Sequence, residues 1–439
     1  MTYQETCDYL FRQTPSFEKT GKTGFNEGLA ITLALDEHTG HPHRQFRSIH
    51  VAGTNGKGSV SHTLASHLQR AGYRVGLYTS PHLVDFRERI RVGGEMIPEQ
   101  YVVDFVDDFL KWTEASRLSP LTSHFPLPAS PSFFELTTAM AFRYFADQHV
   151  DIAVVEVGLG GRLDCTNIIT PLLSIITNIS LDHTDMLGDT LALIAREKAG
   201  IIKPGVPVVI GEDVAETRPV FEQVARQQEA PIIFASDAPI ISSAMPLPDG
   251  GMRYTTTDGT TFDGELSGLY QARNTNTVLH ALRLLQQQGI IGSIDYEAFM
   301  TVGKTTGLMG RWQKLQERPA VVCDTGHNVG GWEYLSRQLG AVSCREMHIV
   351  FGMVSDKDAS TVISMLPKTA YYYFTKAQTK RAIPEAELLR IAQANGLSGQ
   401  AYPSVYEAYQ AAMQQAADDD FVFIGGSTYV VADLMKSII

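Results

Sequence analysis

Cysteine is scarce in this sequence of 439 residues, which contains only Cys7, Cys165, Cys323 and Cys344. The four share no Cys-x-x-Cys or Cys/His spacing typical of a metal site, and they are too few for a disulfide framework in a chain of this length. We therefore expect free thiols in a reducing cytoplasm.

Long apolar runs are also missing. No stretch reaches membrane-spanning length, and residues 1–5 lack the basic start and apolar run of a signal peptide. An apolar fraction of 44% and a charged fraction of 19% are ordinary for a soluble globular protein. We expect a cytoplasmic monomer that binds no membrane.

Clusters of basic residues are absent as well. The formal net charge of −12 would repel a polyanionic backbone, so nucleic acid is not an expected partner. A single nucleotide is compatible with this charge, because backbone amides and one or two lysines can hold phosphate at close range.

The order of apolar segments predicts the fold class. A chain of this length is expected to form two domains, and short β-rich runs that alternate with helical patterns favour parallel strands joined by helices. Strands are predicted at 48–52, 74–79, 151–157, 172–179 and 206–210, with a helix from the glycine-rich loop to Gly72. A loop is predicted at 115–132, where Pro120, Pro126, Pro128 and Pro131 stand among serines.

Later segments indicate added strands and a second domain. Residues 252–266, with Asp258-Gly259 at the centre, predict a hairpin of antiparallel strands, and a helix follows at 271–288. Glycines at 303, 307 and 310 mark a boundary, which gives domains 1–302 and 303–439. The second is predicted as a smaller α/β domain with strands at 320–323, 348–351, 371–374 and 421–424 and helices at 384–394 and 405–416.

A glycine-rich loop between a strand and a helix is the strongest functional signal. It consists of Gly53, Thr54, Asn55, Gly56, Lys57, Gly58 and Ser59. Glycines let backbone amides curl around phosphate oxygens, Lys57 can reach the β- and γ-phosphates, and Ser59 can face Mg²⁺. The loop is shorter than the common formula, and Gly58 separates the lysine from the serine. The alternative is a glycine turn that only caps the helix.

Three motifs together resemble one family. The loop, followed by Tyr78-Thr79-Ser80-Pro81-His82-Leu83 and Glu88-Arg89-Ile90, is similar to the folylpolyglutamate synthase family within the Mur-type ligases. The resemblance implies a P-loop parallel-sheet N-terminal domain and a smaller Rossmann-like C-terminal domain. It also implies ATP-dependent ligation of L-glutamate to the carboxylate of dihydropteroate or a reduced folate, through an acyl phosphate.

Two oxygen-bearing side chains are candidate magnesium ligands. Glu156 ends an apolar strand and is followed by glycines, so its carboxylate is expected at the mouth of the sheet. Ser80 follows another strand. The alternatives are a solvated acid and an ordinary Ser-Pro turn, whereas the resemblance assigns both residues to Mg²⁺.

His183 and Lys198 gain roles only from the resemblance. It makes His183, in Asp-His-Thr-Asp, a ligand of a second magnesium ion and Lys198 a carbamylated lysine that binds metal, so we predict Lys57, His183 and Lys198 as catalytic. By themselves, His183 would be a packing histidine and Lys198 a surface lysine paired with an acid.

The resemblance also assigns residues around the second domain. Asn274, one turn after Gln271, would contact adenine, and Arg311 and Asp324 would complete the ATP site. The motif Asp324-Thr325-Gly326-His327-Asn328-Val329 departs from the family's Asp-Gly-Ala-His-Asn-Pro at its second, third and sixth positions. The predicted substrate residues are His82, Phe134, Asp164, His327 and Ser427, and Asp356-Lys357-Asp358 resembles a further family segment.

Two rival functions remain. A cell-wall Mur ligase with a UDP-linked substrate would carry an extra domain before the loop, and only 52 residues precede Gly53. A nucleotide switch would bind ATP without ligating anything. The residues show no persuasive Cys/His or Ser/His/Asp arrangement, which fits a ligase that forms no covalent enzyme intermediate.

Overall fold

The computed structural model describes residues 1–12, 14, 28–118, 130–248 and 250–438. Its first part contains, in chain order, α1 (Tyr3–Arg12), α2 (Ala30–His38), β1 (Arg47–Ala52), α3 (Lys57–Arg70), β2 (Val75–Tyr78), β3 (Ile90–Val92), β4 (Glu95–Met96), α4 (Glu99–Leu118), α5 (Phe133–Asp147), β5 (Ile152–Glu156), β6 (Leu173–Ile176), α6 (Thr184–Leu187), α7 (Leu191–Ala199), β7 (Val208–Ile210), α8 (Arg218–Gln227), β8 (Ile232–Phe234), β9 (Ile241–Pro246), β10 (Met252–Thr256), β11 (Thr261–Gly264), α9 (Gln271–Gln287) and α10 (Val302–Thr306).

An eight-stranded sheet forms the centre of this part, in the order β4-β3-β2-β5-β1-β6-β7-β8. The strands from β2 to β8 in this order are parallel, and only β3 and β4 pair antiparallel. The core strands are buried on both faces, which explains the continuous apolar run of β5 before Glu156, while β1 also buries Ser48 and His50. Helices α3 and α9 cover one face together with the sheet β11-β10-β9, and α1, α2, α4 and α5 cover the other.

The second part forms its own sheet and core. It contains β12 (Gln313–Gln316), β13 (Ala320–Cys323), α11 (Val329–Gly340), β14 (Met347–Phe351), α12 (Ala359–Met365), β15 (Tyr371–Phe374), α13 (Glu385–Ala394), β16 (Ser398–Ala401), α14 (Val405–Gln415), β17 (Phe421–Gly425) and α15 (Thr428–Ile438). The strand order is β12-β13-β17-β14-β15-β16, with only β12 antiparallel. Helices pack on both faces of this sheet.

The predicted fold class is confirmed: a parallel sheet that carries the glycine-rich loop after β1, added antiparallel strands, and a smaller α/β domain. The prediction for one segment is wrong. Helix α4 continues to Leu118, so the loop predicted from residue 115 begins too early, because the prolines that end the helical pattern come only from residue 120 onward. Pro120, Pro126 and Pro128 lie outside the described residues.

The boundary predicted between residues 302 and 303 stays a prediction. Helix α10 contacts α3, where Thr306 Oγ1 and His62 Nδ1 lie 2.8 Å apart, and the second sheet begins at Gln313. Among the helices described, none combines the length and apolarity that crossing a membrane requires.

Candidate functional site

The glycine-rich loop joins the carboxyl end of β1 to the first turn of α3. Gly53 and Gly56 have φ angles of +145° and +85°, which favour glycine. A Cβ atom on Gly53 would lie only 1.8 Å from Thr177 Oγ1, and one on Gly56 would lie 2.3 Å from Asn274 Oδ1. Gly53 is therefore required by the close approach of Thr177 as well as by the turn, and Gly56 is required by the turn.

Residues after β6 brace the loop, an arrangement that no local sequence pattern indicates. The amide of Thr54 donates to the carbonyl of Asn178 at 2.9 Å, and the amide of Asn55 donates to Asn178 Oδ1 at 2.9 Å. Thr177 Oγ1 donates to the carbonyl of Asn55 at 2.5 Å. Lys57 Nζ lies over the same loop, 3.1 Å from the carbonyl oxygens of Gly53 and Thr54.

Glu156 and Ser80 meet beside the loop at the ends of β5 and β2. The amide of Ser80 donates to Glu156 Oε2 at 3.3 Å. The side chain of Glu156 is buried, and burial raises its pKa although the charges of Lys57 and Arg311 oppose the shift. The interpretation of Glu156 as a solvated acid is therefore wrong.

Lys198 is buried, which excludes its interpretation as a surface lysine. Its Nζ donates to the carbonyl of Gly53 at 2.9 Å, and no carboxylate of the described residues lies within ion-pair distance of it. Burial, assisted by the nearby Lys57 charge, lowers the pKa of Lys198 to about 7. A large share of Lys198 is thus a neutral amine near neutral pH.

His183 belongs to a cluster that the two domains share. Its φ angle is +49°, and burial lowers its pKa to about 3, so the imidazole is neutral. Lys357 Nζ, from the second domain, lies 3.5 Å from His183 Nε2 and forms a short contact with Asp182 Oδ1.

Asp182 is the centre of this cluster, although the sequence predicts a role only for its neighbour His183. Asn328 Nδ2 donates to Asp182 Oδ2 at 2.9 Å, and His327 Nε2 lies 3.6 Å from the same atom. Burial opposes ionisation, but the contacts with His327 and Lys357 hold the pKa of Asp182 well below its usual range. An acid beside the predicted histidine at a strand end is the signal that could have identified it.

The second domain adds Asp324 and Arg311. Asp324 Oδ2 accepts from Tyr270 Oη at 2.6 Å and from the amide of Trp312 at 2.7 Å, while Oδ1 accepts from the amide of Gly326 at 2.7 Å. Asp324 therefore fixes the backbone directly after Arg311. Burial raises the pKa of Asp324, and these donors oppose the shift.

Helix α9 connects to the loop through two amides. Asn274 Nδ2 donates to Gln271 Oε1 at 2.9 Å, and Gln271 Nε2 donates to Ser59 Oγ at 3.1 Å. Ser59 is buried. Gln271 and Asn274, the pair predicted from the sequence, thus lie directly against the glycine-rich loop.

Two neighbouring cavities divide the predicted site residues. The first cavity includes Asn55 to Ser59, Asn274, Arg311, Asp324 and Tyr334 in its wall. The second includes Phe134, Asp164, His183, Lys198 and Ser427. Both include Thr54, Lys57, Ser80 and His327, and Glu156 lies in the wall of the first.

His82 is the one predicted site residue that lies in neither wall. Its Nδ1 accepts from Arg89 Nε at 2.7 Å, and Arg89 lines the second cavity. Its ring also contacts Phe11, with the ring centroids 5.6 Å apart. The structure therefore places His82 behind the cavity rather than in it.

Known proteins resemble this chain over both domains. A family described as "Mur ligase, glutamate ligase domain" matches residues 310–428. The dihydrofolate synthase/folylpolyglutamate synthase of Bacillus subtilis is 33% identical over 94% of this chain and 96% of its own length. A probable bifunctional folylpolyglutamate synthase/dihydropteroate synthase of Haloferax volcanii is 33% identical over 99% of this chain, which spans only 50% of that relative.

A solved structure also resembles this chain over its whole length. E. coli FolC in complex with DHPP and ADP superposes with a TM-score of 0.82 at 30% sequence identity, covering 100% of this chain and 98% of that chain. The similarity thus extends over both sheets.

Proposed function

Because this chain belongs to the folylpolyglutamate synthase/dihydrofolate synthase family, we propose that it uses ATP to join L-glutamate to the carboxylate of dihydropteroate or a reduced folate. The arrangement that carries the proposal is the meeting of the two cavities at Lys57, Ser80 and His327. A phosphate held by the loop would there face a substrate in the second cavity.

The second cavity suits an aromatic acid and an amino acid. Phe134 is stacked on Tyr78, with the ring centroids 5.7 Å apart, and offers an apolar surface to a flat ring. Arg89 also lines this cavity, and Lys357 and Arg381 lie in its wall as ion pairs with Asp182 and Asp356. Ser427, directly before α15, lies where the glutamate carboxylate would find a helix N-terminus.

The proposed reaction has two steps. An oxygen of the acceptor carboxylate attacks the γ-phosphorus, the bond to the β-phosphate oxygen breaks, and ADP leaves. The amine of glutamate then attacks the carbonyl carbon of the acyl phosphate, the carbon–oxygen bond to phosphate breaks, and the nitrogen loses a proton. Lys57 offsets negative charge in the first step, and closure of the domains keeps water away from the acyl phosphate.

We further propose that Glu156 and Ser80 hold Mg²⁺. The two side chains offer hard oxygen donors at the ends of strands. Burial raises the pKa of Glu156, and a bound cation would lower it again by stabilising the carboxylate. When bound, Mg²⁺ would neutralise charge on the phosphates. His183 would bind a second ion only after Lys357 had moved from its Nε2 atom.

Carbamylation of Lys198 also belongs to this proposal. The neutral Nζ would attack CO₂ and lose a proton, giving a carbamate whose negative charge faces Lys57. The pKa of about 7 supports this step, because only the neutral amine reacts.

The function is tested by supplying ATP and labelled glutamate with either dihydropteroate or a reduced folate, and counting the glutamates in each product. We expect ADP release that requires both glutamate and an acceptor. ADP release that ignores glutamate would support a nucleotide switch, and labelling of neither acceptor would refute the proposed function. Dihydrofolate synthesis and chain extension are separated by which acceptor is labelled.

A further inference from the structure

Thr325 occupies a position at which the family motif has glycine, and its side chain contacts Gly310 and Arg311. The amide of Thr325 donates to the carbonyl of Gly310 at 3.0 Å, and its Oγ1 donates to the same oxygen at 3.1 Å. A Cβ atom on Gly310, whose φ is +70°, would lie 2.8 Å from the methyl group of Thr325. The threonine therefore fits closely against the residue that precedes Arg311.

The hydroxyl of Thr325 is also an acceptor for Arg311. Because its single hydrogen is directed at Gly310, its lone pairs are available, and Arg311 Nη1 forms a short hydrogen bond with it. Nη1 also lies 3.2 Å from the carbonyl of Gly310. Among the described residues, Arg311 forms no ion pair, and Thr325 is its only side-chain hydrogen-bond acceptor.

The other nitrogen of the Arg311 guanidinium, Nη2, lies beside the glycine-rich loop. A Cβ atom on Gly58 would lie 3.2 Å from Arg311 Nη2, and the first cavity includes both residues in its wall. When Thr325 anchors one nitrogen, the other N–H groups of the planar guanidinium lie beside the loop. Phosphate oxygens bound there would accept hydrogen bonds from them.

We propose that Thr325 is a positioning residue for ATP: its hydroxyl holds Arg311 of the second domain over the glycine-rich loop of the first. The inference rests on the proposed nucleotide site. It predicts that the loss of the hydroxyl weakens ATP binding through Arg311, because an unanchored arginine must be ordered by the ligand.

The test measures the dissociation constant of ATP with Mg²⁺ by calorimetry on the full chain. We expect Thr325→Val to weaken binding about three- to tenfold, the cost of ordering one arginine side chain on the ligand, and Thr325→Ser to stay within about twofold of the parent. In an Arg311→Ala background, adding Thr325→Val should change the constant by less than about twofold.

Three results would overturn the proposal: unchanged binding by the valine variant, a serine variant as weak as valine, or a full valine effect without Arg311. If Thr325→Val does not fold, Thr325→Gly against Thr325→Ser makes the same comparison, since both are smaller. The measurement needs neither glutamate nor folate, so a chain that binds ATP but ligates nothing would refute the proposed function and leave this inference standing.

Discussion

At the scale of single residues, Lys198 combines a cost to folding with a proposed role. The ammonium form is disfavoured in the folded protein, because the side chain is buried and lies near Lys57. The pKa is lowered from its unfolded value of 10.5 to about 7, so the folded state binds fewer protons within this window. Stability should therefore decrease as the pH falls from about 10 to 7.

Lys198→Met should accordingly stabilise the protein at pH 7 by about 0.5–2 kcal/mol while it abolishes ligation. Chemical denaturation and the glutamate incorporation assay check the two effects, with the exposed Lys111→Met as the control. Full ligase activity of the methionine variant would contradict the proposed role of the carbamate, because methionine cannot be carbamylated. For Lys198→Ala, a short carboxylic acid should restore part of the activity, and no rescue would count against the same idea.

Glu156→Gln keeps an acceptor for the amide of Ser80 but removes the negative charge. We expect kcat to fall at least about 100-fold and the Mg²⁺ concentration for half-maximal rate to rise, because a neutral amide is a weaker ligand for a hard cation. Magnesium titrations of the variant and of the exposed Glu37→Gln control provide the measurement. A parental kcat would show that Glu156 is not a metal ligand.

The sequence predicts site residues whose chemistry stands in a motif, such as Lys57 and Glu156, and the fold places both in the wall of the first cavity. Sequence reasoning missed Asp182 and Asn178, whose importance lies in hydrogen bonds to segments distant in the chain. Amide and carboxylate side chains are common on surfaces, and only the fold determines which of them brace a loop. His82 shows the opposite case, a motif residue that the fold places behind the cavity wall.

At the scale of elements, the junction between β1 and α3 depends on Gly53. Gly53→Ala would introduce a Cβ atom 1.8 Å from Thr177 Oγ1 at a φ of +145°. We expect the dissociation constant for ATP to rise at least about 100-fold, because the loop must shift away from the amides of the helix. Calorimetry measures this.

The matched control for that substitution is Gly289→Ala. Gly289 also has a positive φ, +69°, but a Cβ atom there would meet no other atom of the described residues within 4 Å, so only backbone strain is added. ATP binding should be unchanged. Equal losses in both variants would mean that general destabilisation, rather than the loop, causes the effect.

Elements were predictable where burial gives them a clear pattern. Strand β5 is apolar up to its last residue, Glu156, and β6 has Ser174 as its one polar residue, so their sequences indicate strands without any knowledge of their neighbours. Strand β4 has two residues and β12 is the polar segment Gln313–Gln316, and both are strands only because they pair with an adjacent strand. Such pairing is a tertiary effect that no local pattern records.

At the scale of the whole molecule, the domains are held together by polar contacts around the site. Asn55 and Asn328 exchange hydrogen bonds of 3.1 and 3.0 Å, and Lys357 pairs with Asp182 between largely buried side chains. Breaking a buried pair by removing one partner costs about 3–5 kcal/mol. Because this pair joins the two domains, its loss would destabilise their closed arrangement.

Lys357→Met should therefore favour a more open molecule. We expect a larger radius of gyration in small-angle X-ray scattering and a lower kcat, because the second domain no longer closes over the acyl phosphate. The exposed Lys380→Met, in the same domain, is the control. Unchanged scattering and kcat would show that this ion pair does not hold the domains closed.

The proposed reaction activates the acceptor carboxylate as an acyl phosphate, whose carbonyl carbon the amine of glutamate then attacks. It is tested most directly with an acceptor whose carboxylate carries ¹⁸O in both oxygens. We expect each amide bond formed to transfer one ¹⁸O atom to inorganic phosphate, and only when glutamate is present. Phosphate that contains no ¹⁸O, released at the same rate without glutamate, would contradict it.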